Sequence, residues 1–244
     1  MLALYGAPQL RNTALGSRRP RAAARLLTKQ VAPYEGLDDR PMIPSFDLIG
    51  VVANSTPGPD RLYRTRQPDA LIETYLQEAR DAGGRLMLDI QPGRSPLVDE
   101  INSLQDWIAM PDVDVAIDPE WNVGPKGVPG RTTGSVTARE LNAASRRIQR
   151  IAKDHDLPPK VLVVHQFSTR SIRQRTSVKQ RPDVQVTFNF DGIGTIPDKI
   201  AGYENLSTEG VFNGFSLFYE LDTPLMKPRR VLRLEPTPDF LLYQ

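Results

Sequence analysis

Short apolar runs, bounded by Gly, Pro or Asp, alternate along this chain with longer segments whose apolar residues recur at helical spacing. A wholly apolar run is typical of a strand buried on both faces, as in a parallel sheet covered by crossover helices. Because such barrels typically take about 250 residues, we expect an α/β fold, a single (β/α)8 (TIM-type) barrel spanning residues 1–244. The predicted strands are Leu2–Tyr5, Met42–Ala53, Leu86–Ile90, Val113–Ile117, Val161–His165, Val184–Phe190, Phe215–Tyr219 and Val231–Leu234.

Three intervening segments carry the periodicity of amphipathic helices. Thr137 and Glu140 form a capping-box pattern, which predicts that a helix begins there. The apolar stripes of the other two helices are Leu71, Ile72, Tyr75, Leu76 and Ala79, and Leu97, Val98, Ile101, Leu104 and Ile108.

Composition excludes several functional classes. The 31 basic and 29 acidic side chains nearly cancel, so we expect no nucleic-acid partner, and the basic stretch Ser168–Arg181 is interpreted as a solvated helix surface. The absence of cysteine excludes disulfides and thiol chemistry. The sequence contains no apolar run of about 18 residues, so no membrane span is predicted.

The N-terminus lacks a signal-peptide pattern. This indicates either a cytosolic protein or one whose leader was removed and which is extracellular or at the cell surface. The oligomeric state stays open.

Polar side chains follow nearly every predicted strand. In a barrel of this kind the carboxyl ends of the strands meet at one mouth, where catalytic residues are found. The candidate catalytic residues are Glu120, Asp118, Asp89 and Glu220, and the candidate substrate contacts are Tyr5, Asp47, Arg94, Trp121, His165, Gln166, Asp191, Tyr219 and Asp222.

The segment Asp118-Pro119-Glu120-Trp121 is the most specific of these signals. Residues two apart on an extended chain share a face, with Cα atoms about 6.5 to 7 Å apart, so Asp118 and Glu120 could address one substrate. Alternatively, Asp118 caps or pairs with a neighbouring loop while Glu120 starts a turn. Trp121 is either a platform for a sugar ring or simple packing. Similarly, Asp89 is either catalytic or neutralised by Arg94.

These motifs carry a resemblance that runs nearly end to end. The other segments that carry it are Leu4-Tyr5-Gly6, Leu88–Arg94, His165-Gln166-Phe167, and Phe218-Tyr219 with Asp222-Thr223-Pro224. On these residues the chain resembles a group of uncharacterised, often exported actinobacterial proteins regarded as glycoside-hydrolase-like barrels. The resemblance implies a barrel acting on carbohydrate, with no particular substrate.

A fainter similarity links Asp114–Trp121 to the strand-four acidic motif of family 18 chitinases, in which the last Glu is the proton donor. It implies that role for Glu120. The chain departs from that motif at Pro119 and lacks the motif's further aspartates upstream. The substrate-assisted mechanism of that family is therefore not carried over.

The leading hypothesis is hydrolysis of a glycosidic bond in a poly- or oligosaccharide, without metal or cofactor. Glu120 would be the general acid, and Asp89, Asp118 or Glu220 the nucleophile, base or neighbouring charge. One alternative is a metal-dependent sugar isomerase or hydrolase whose ligands would be Asp89, Glu120, His165 and Asp191. Another is a carbohydrate-binding or cell-surface module without catalysis.

Overall fold

A computed structural model describes all residues, Met1–Gln244, and contains a closed barrel of parallel strands surrounded by helices. The fold class is therefore the predicted one. The strands are β1 (Leu2–Gly6), β2 (Pro44–Ala53), β3 (Arg64–Arg66), β4 (Arg85–Ile90), β5 (Val113–Ile117), β6 (Val136–Thr137), β7 (Lys160–Gln166), β8 (Ile172–Arg173), β9 (Val184–Phe190), β10 (Phe212–Leu217) and β11 (Phe240–Tyr243).

The barrel order is β1, β11, β10, β9, β7, β5, β4 and β2, and pairing of β1 with β2 closes it. The short strand β3 adds to β2 in the antiparallel sense, while β6 and β8 form a separate pair. The helices are α1 (Pro20–Val31), α2 (Asp69–Asp81), α3 (Leu97–Ser103), α4 (Gln105–Ile108), α5 (Ala138–Asp154), α6 (Ile196–Leu206) and α7 (Pro228–Val231). None of them combines the length and the hydropathy needed to cross a membrane.

The chain forms two compact units. The first unit comprises Met1–Leu48, Asp69–Met87 and Thr187–Gln244, and the second comprises Ile49–Pro68 and Leu88–Val186. The single-domain assignment stays a prediction.

In the first unit, aromatic side chains join the sheet to a helix. Phe190 and Phe215 are in register on β9 and β10, so they lie side by side on one face. Tyr203 of α6 packs against both rings at centroid distances of 6.4 and 5.5 Å. Its hydroxyl donates to the carbonyl of Pro236 at 2.6 Å, which satisfies the polar end of an otherwise buried ring.

In the second unit, β5 and β7 form the centre of the core. Val115 pairs with Leu162 and Ile117 with Val164, and all four side chains are buried. Helix α5 packs on β7 and α3, and its buried stripe includes Leu141, Ala144, Ile148 and Ile151. Full burial of each of the leucine and isoleucine side chains contributes about 1.5 to 3 kcal/mol.

Two element predictions are wrong. The segment Val231–Leu234 is not a strand, because Pro228 starts the short helix α7, which ends at Val231, and the chain continues as a turn in which Leu234 is buried. The eighth barrel strand is β11, a wholly buried run. The predicted helix ending at Ile108 breaks after Ser103, whose hydroxyl donates to the carbonyl of Glu100 at 2.7 Å and competes with the helical pattern.

The capping box of α5 is confirmed. The Thr137 hydroxyl accepts from the backbone N–H of Glu140 at 3.2 Å, and the Glu140 carboxylate accepts from the backbone N–H of Thr137 at 2.7 Å. We therefore expect Thr137→Ala to lower the free energy of unfolding by about 1 kcal/mol, as measured by urea denaturation.

The control is Thr74→Ala on α2, where an exposed hydroxyl donates to the carbonyl of Ala70 within the helix. This change should cost less than about 0.5 kcal/mol. Equal losses in the two variants would contradict the role assigned to the cap.

Candidate active site

Polar residues lie at or next to the C-terminal ends of three neighbouring strands of the second unit, β4, β5 and β7. Ile117 pairs with Val164, and the next residue, Asp118, is still extended with φ −103° and ψ 99°. Asp118 and His165 therefore follow the last register pair at the same level and share a face of the sheet. The backbone N–H of Asp118 also donates to the carbonyl of Ile90 at 3.1 Å, which fixes Asp118 beside the end of β4.

Burial differs sharply among these residues. Asp89 has no exposed surface and His165 is 3% exposed, whereas Asp118 is half-buried. Adjacent strands lie about 4.8 Å apart, so strand β4, which carries Asp89, and strand β7, which carries His165, are roughly 10 Å apart. Asp118 follows β5, the strand between them. Gln166 is buried too and lies on the opposite face of β7 from His165, and its role as a substrate contact stays a prediction.

The segment Asp118–Trp121 does not continue the strand. Pro119 starts a 3-10 turn that includes Glu120 and Trp121, because its fixed φ suits the first position of a helical turn. The Asp118 carboxylate accepts from the backbone N–H of Glu120 at 3.0 Å and so caps the turn. The expected extended arrangement is thus wrong, and the alternative, in which Asp118 acts as a cap, is confirmed.

The turn presents its side chains outward. Glu120 is exposed and Trp121 is half-exposed, while Pro119 is buried beneath them. The carbonyl of Glu120 accepts from the N–H of Gly134 at 2.6 Å, and that of Asp118 accepts from the N–H of Trp121 at 3.3 Å. A carboxylate and an indole are therefore held on one short, anchored turn.

The loops after β2, β4 and β5 are fastened to one another. Arg94 donates from its backbone to the carbonyl of Leu62 at 2.8 Å and from Nε to the carbonyl of Gly127 at 2.7 Å. Its guanidinium lies 4.1 Å from the centre of the Tyr63 ring, a cation–π contact. Arg94 therefore fastens these loops to one another, and its role as a substrate contact stays a prediction.

Gly93 lies where two of these loops meet. Its φ of 62° is in the left-handed region, and a Cβ there would collide with the carbonyl oxygens of Leu62 and Tyr63. The carbonyl of Gly93 accepts from the N–H of Val123 at 3.0 Å. Only glycine permits this close approach of three backbone segments.

A buried carboxylate that the sequence did not single out supports the same loops. Glu100 of α3 has no exposed surface and accepts from Nε of Arg64 and Nε of Arg66, each at 2.8 Å, and from the hydroxyl of Ser95. Burial raises the pKa of Glu100, but the bonds from Arg66, Ser95 and Arg64 outweigh it and hold the pKa below its ordinary value. The alternating arginines of β3 were the only sequence signal for this cluster.

In the first unit, Asp191 belongs to a polar cluster at the ends of β9 and β10. Its carboxylate accepts from Asn189 Nδ2 at 2.9 Å and from the hydroxyl of Ser216, which itself accepts from Asn189 at 2.8 Å. Asp191 is half-buried, and the other two are buried. Its role as a substrate contact stays a prediction.

Asp222 holds the loop after β10 through contacts within the fold. It forms a buried ion pair with Lys199 of α6 at 2.6 Å, and it accepts from the N–H groups of Phe218 and Gly194. Burial lowers the pKa of Lys199, and Asp222 and Asp191 partly offset this effect. Asp222 thus fixes the loop after β10, and its role as a substrate contact stays a prediction.

Two other predicted residues of that loop follow β10, which ends at Leu217. Tyr219 donates to Gln30 of α1 at 2.8 Å and stacks on Tyr243, so its hydroxyl is used within the fold, and burial raises its pKa well above the ordinary value. Glu220 is exposed beside a cavity of about 420 Å³ that Arg11 and Arg18 also line.

Tyr5 and Asp47 are paired in register on β1 and β2, and both are buried. They therefore lie side by side on one face of the sheet. Whether they contact substrate stays a prediction.

No group of three or more His, Asp or Glu side chains is arranged as a metal site.

No protein-family model matches the chain, and no curated protein matches it. The resemblance to actinobacterial glycoside-hydrolase-like proteins therefore remains an expectation drawn from the residues.

The Glu100 cluster gives a pH-dependent prediction. Because the pKa of Glu100 is lowered on folding, its stabilisation is fully present above the ordinary value of 4.5 and is lost as the pH falls through the folded value. Glu100→Gln should reduce the free energy of unfolding by about 3 kcal/mol at pH 7, since it leaves two arginines beside an uncharged group.

The measurement is urea denaturation of both proteins between pH 7 and 3. The difference between Glu100→Gln and the parent protein should shrink as the pH falls below 4.5. Glu73→Gln on the exposed face of α2 is the control and should change stability by less than about 0.5 kcal/mol. A difference for Glu100→Gln that stays constant with pH would refute the ion-pair explanation.

Proposed function

We propose that this barrel is a glycoside-hydrolase-like enzyme that cleaves glycosidic bonds in a poly- or oligosaccharide by carboxylate acid/base catalysis. One observation carries the proposal: the capped turn at the end of β5 holds Asp118, Glu120 and Trp121 together. His165 shares the face and the level of Asp118 on the neighbouring strand. The ends of barrel strands are where enzymes of this fold carry their catalytic residues.

Glu120 suits the role of general acid. A proton donor to a glycosidic oxygen must reach a bulky substrate, and Glu120 is the exposed carboxylate of the turn. Asp118 suits the role of the second carboxylate. It is half-buried, and the N–H of Glu120 orients its oxygen.

Trp121 and His165 suit substrate binding. The half-exposed indole offers an apolar face to a sugar ring and an N–H to its hydroxyls. The imidazole of His165 is buried at the strand end, where it can hydrogen-bond to a substrate hydroxyl or orient Asp118. The fully buried Asp89 is a further candidate for the base.

Glu120→Gln tests the proposal on a substrate identified by a hydrolysis screen of bacterial cell-envelope and plant polysaccharides. Loss of the transferable proton should lower kcat by about 100-fold or more without changing the thermal unfolding temperature, because the side chain is exposed. Reducing ends released per unit time give the rate.

The control is Glu209→Gln, an exposed glutamate that precedes the first residue of β10. It should retain full activity. An unchanged rate for Glu120→Gln would sink the assignment of the acid, whereas binding of a glycan without any product would favour the carbohydrate-binding module.

Asp118→Asn separates catalysis from capping. The amide oxygen can still accept from the N–H of Glu120, so the turn should persist, while the charge is lost. We expect kcat to fall by about 100-fold or more with unchanged stability. Full activity in Asp118→Asn would restrict Asp118 to the cap.

A further inference from the structure

A groove of about 760 Å³ lies on the first unit, and none of the residues proposed for catalysis lines it. Helix α6 forms one wall, and the segment Pro224–Glu235, which includes α7, forms the other. The apolar part of its lining consists of Ile196, Ile200, Pro224, Leu225 and Leu234.

Helix α6 has two distinct faces. Lys199, Tyr203 and Leu206 are buried on one of them. Ile196 and Ile200, one turn apart, are only half-buried and line the groove. The second face of the helix is thus apolar but incompletely covered.

Contacts at both ends of the groove fix the distance between its two walls. At one end the Tyr203 hydroxyl donates to the carbonyl of Pro236 at 2.6 Å. At the other, Lys199 pairs with Asp222 at 2.6 Å, and the N–H of Thr223 donates to the carbonyl of Gly194 at 3.4 Å. The groove is therefore formed before any ligand arrives, which lowers the cost of binding.

The groove is bordered by positive charge. Four exposed cations line it, against two carboxylates, Glu204 and Glu235, which leaves a net charge of +2. None of the four cations forms a salt bridge. They are Lys227, Arg229, Arg230 and Arg233.

We propose that this groove binds an anionic single-chain amphiphile, with its alkyl chain on the apolar lining and its phosphate or carboxylate head among the arginines. Guanidinium groups bind such heads through paired hydrogen bonds. The volume lies in the range of small-molecule sites, about 300 to 1,000 Å³. A protein partner would need roughly 800 Å² of surface on each side, more than such a groove offers.

Isothermal titration of the full chain with decyl phosphate, kept below its micelle concentration, tests the proposal. We expect saturable binding at one site. Arg230→Gln/Arg233→Gln should weaken binding about tenfold or more, and about 0.5 M NaCl should weaken binding to the parent protein because the head-group interaction is screened. Ile200→Asn should also weaken binding, because it removes apolar lining.

Arg146→Gln/Arg150→Gln, which removes two exposed charges from α5, is the matched control and should bind like the parent protein. Decyltrimethylammonium, with the same chain and the opposite charge, should not bind. Equal affinity for this cation, no loss in the Arg230/Arg233 variant, or no saturable binding would each overturn the proposal. So would binding to vesicles of equal parts phosphatidylglycerol and phosphatidylcholine without binding to monomeric decyl phosphate, since it would assign the groove to a membrane surface.

Discussion

Parallel pairing of the barrel strands is the constraint on which the rest of the structure depends. Parallel strands run the same way, so the residues after each of them are delivered to the same end of the sheet. Register then decides which side chains share a face. Asp118 and His165 share a face and a level only because Ile117 is paired with Val164. A shift of one residue would turn one of them to the opposite face.

Charged groups inside the protein are used mainly to hold loops. Glu100 binds two arginines of β3, and Lys199 binds Asp222. Each pair is costly to desolvate, so it stabilises the fold chiefly when the remaining hydrogen-bonding positions of its charged groups are filled. Here the hydroxyl of Ser95 donates to Glu100, and Lys199 donates to the carbonyl of Gly192. Catalytic candidates and loop supports therefore look alike in a sequence, and only their contacts distinguish them.

The fold was more predictable than the site. Apolar runs and helical stripes identified seven of the barrel strands and α5 with its cap, since burial on both faces leaves a strong pattern. The failures were local. Val231 and Leu234 fit a helical turn as well as a strand, and Pro119 turned the chain where an extended segment was expected. The loop contacts of Arg94 and the ion pair of Asp222 with Lys199 were not foreseen, because sequence spacing does not show which partners the folded loops bring close.

The union of loops around Gly93 has a consequence for how this protein could be altered. Segments after β2, β4 and β5 share hydrogen bonds through Leu62, Gly93, Arg94 and Val123, and Gly127 receives the Arg94 side chain. Replacing one loop by a foreign one would break bonds in the other two. New specificity would therefore have to be engineered by exchanging the three loops as a set, or by changing outward side chains such as Trp121 while leaving the backbones in place.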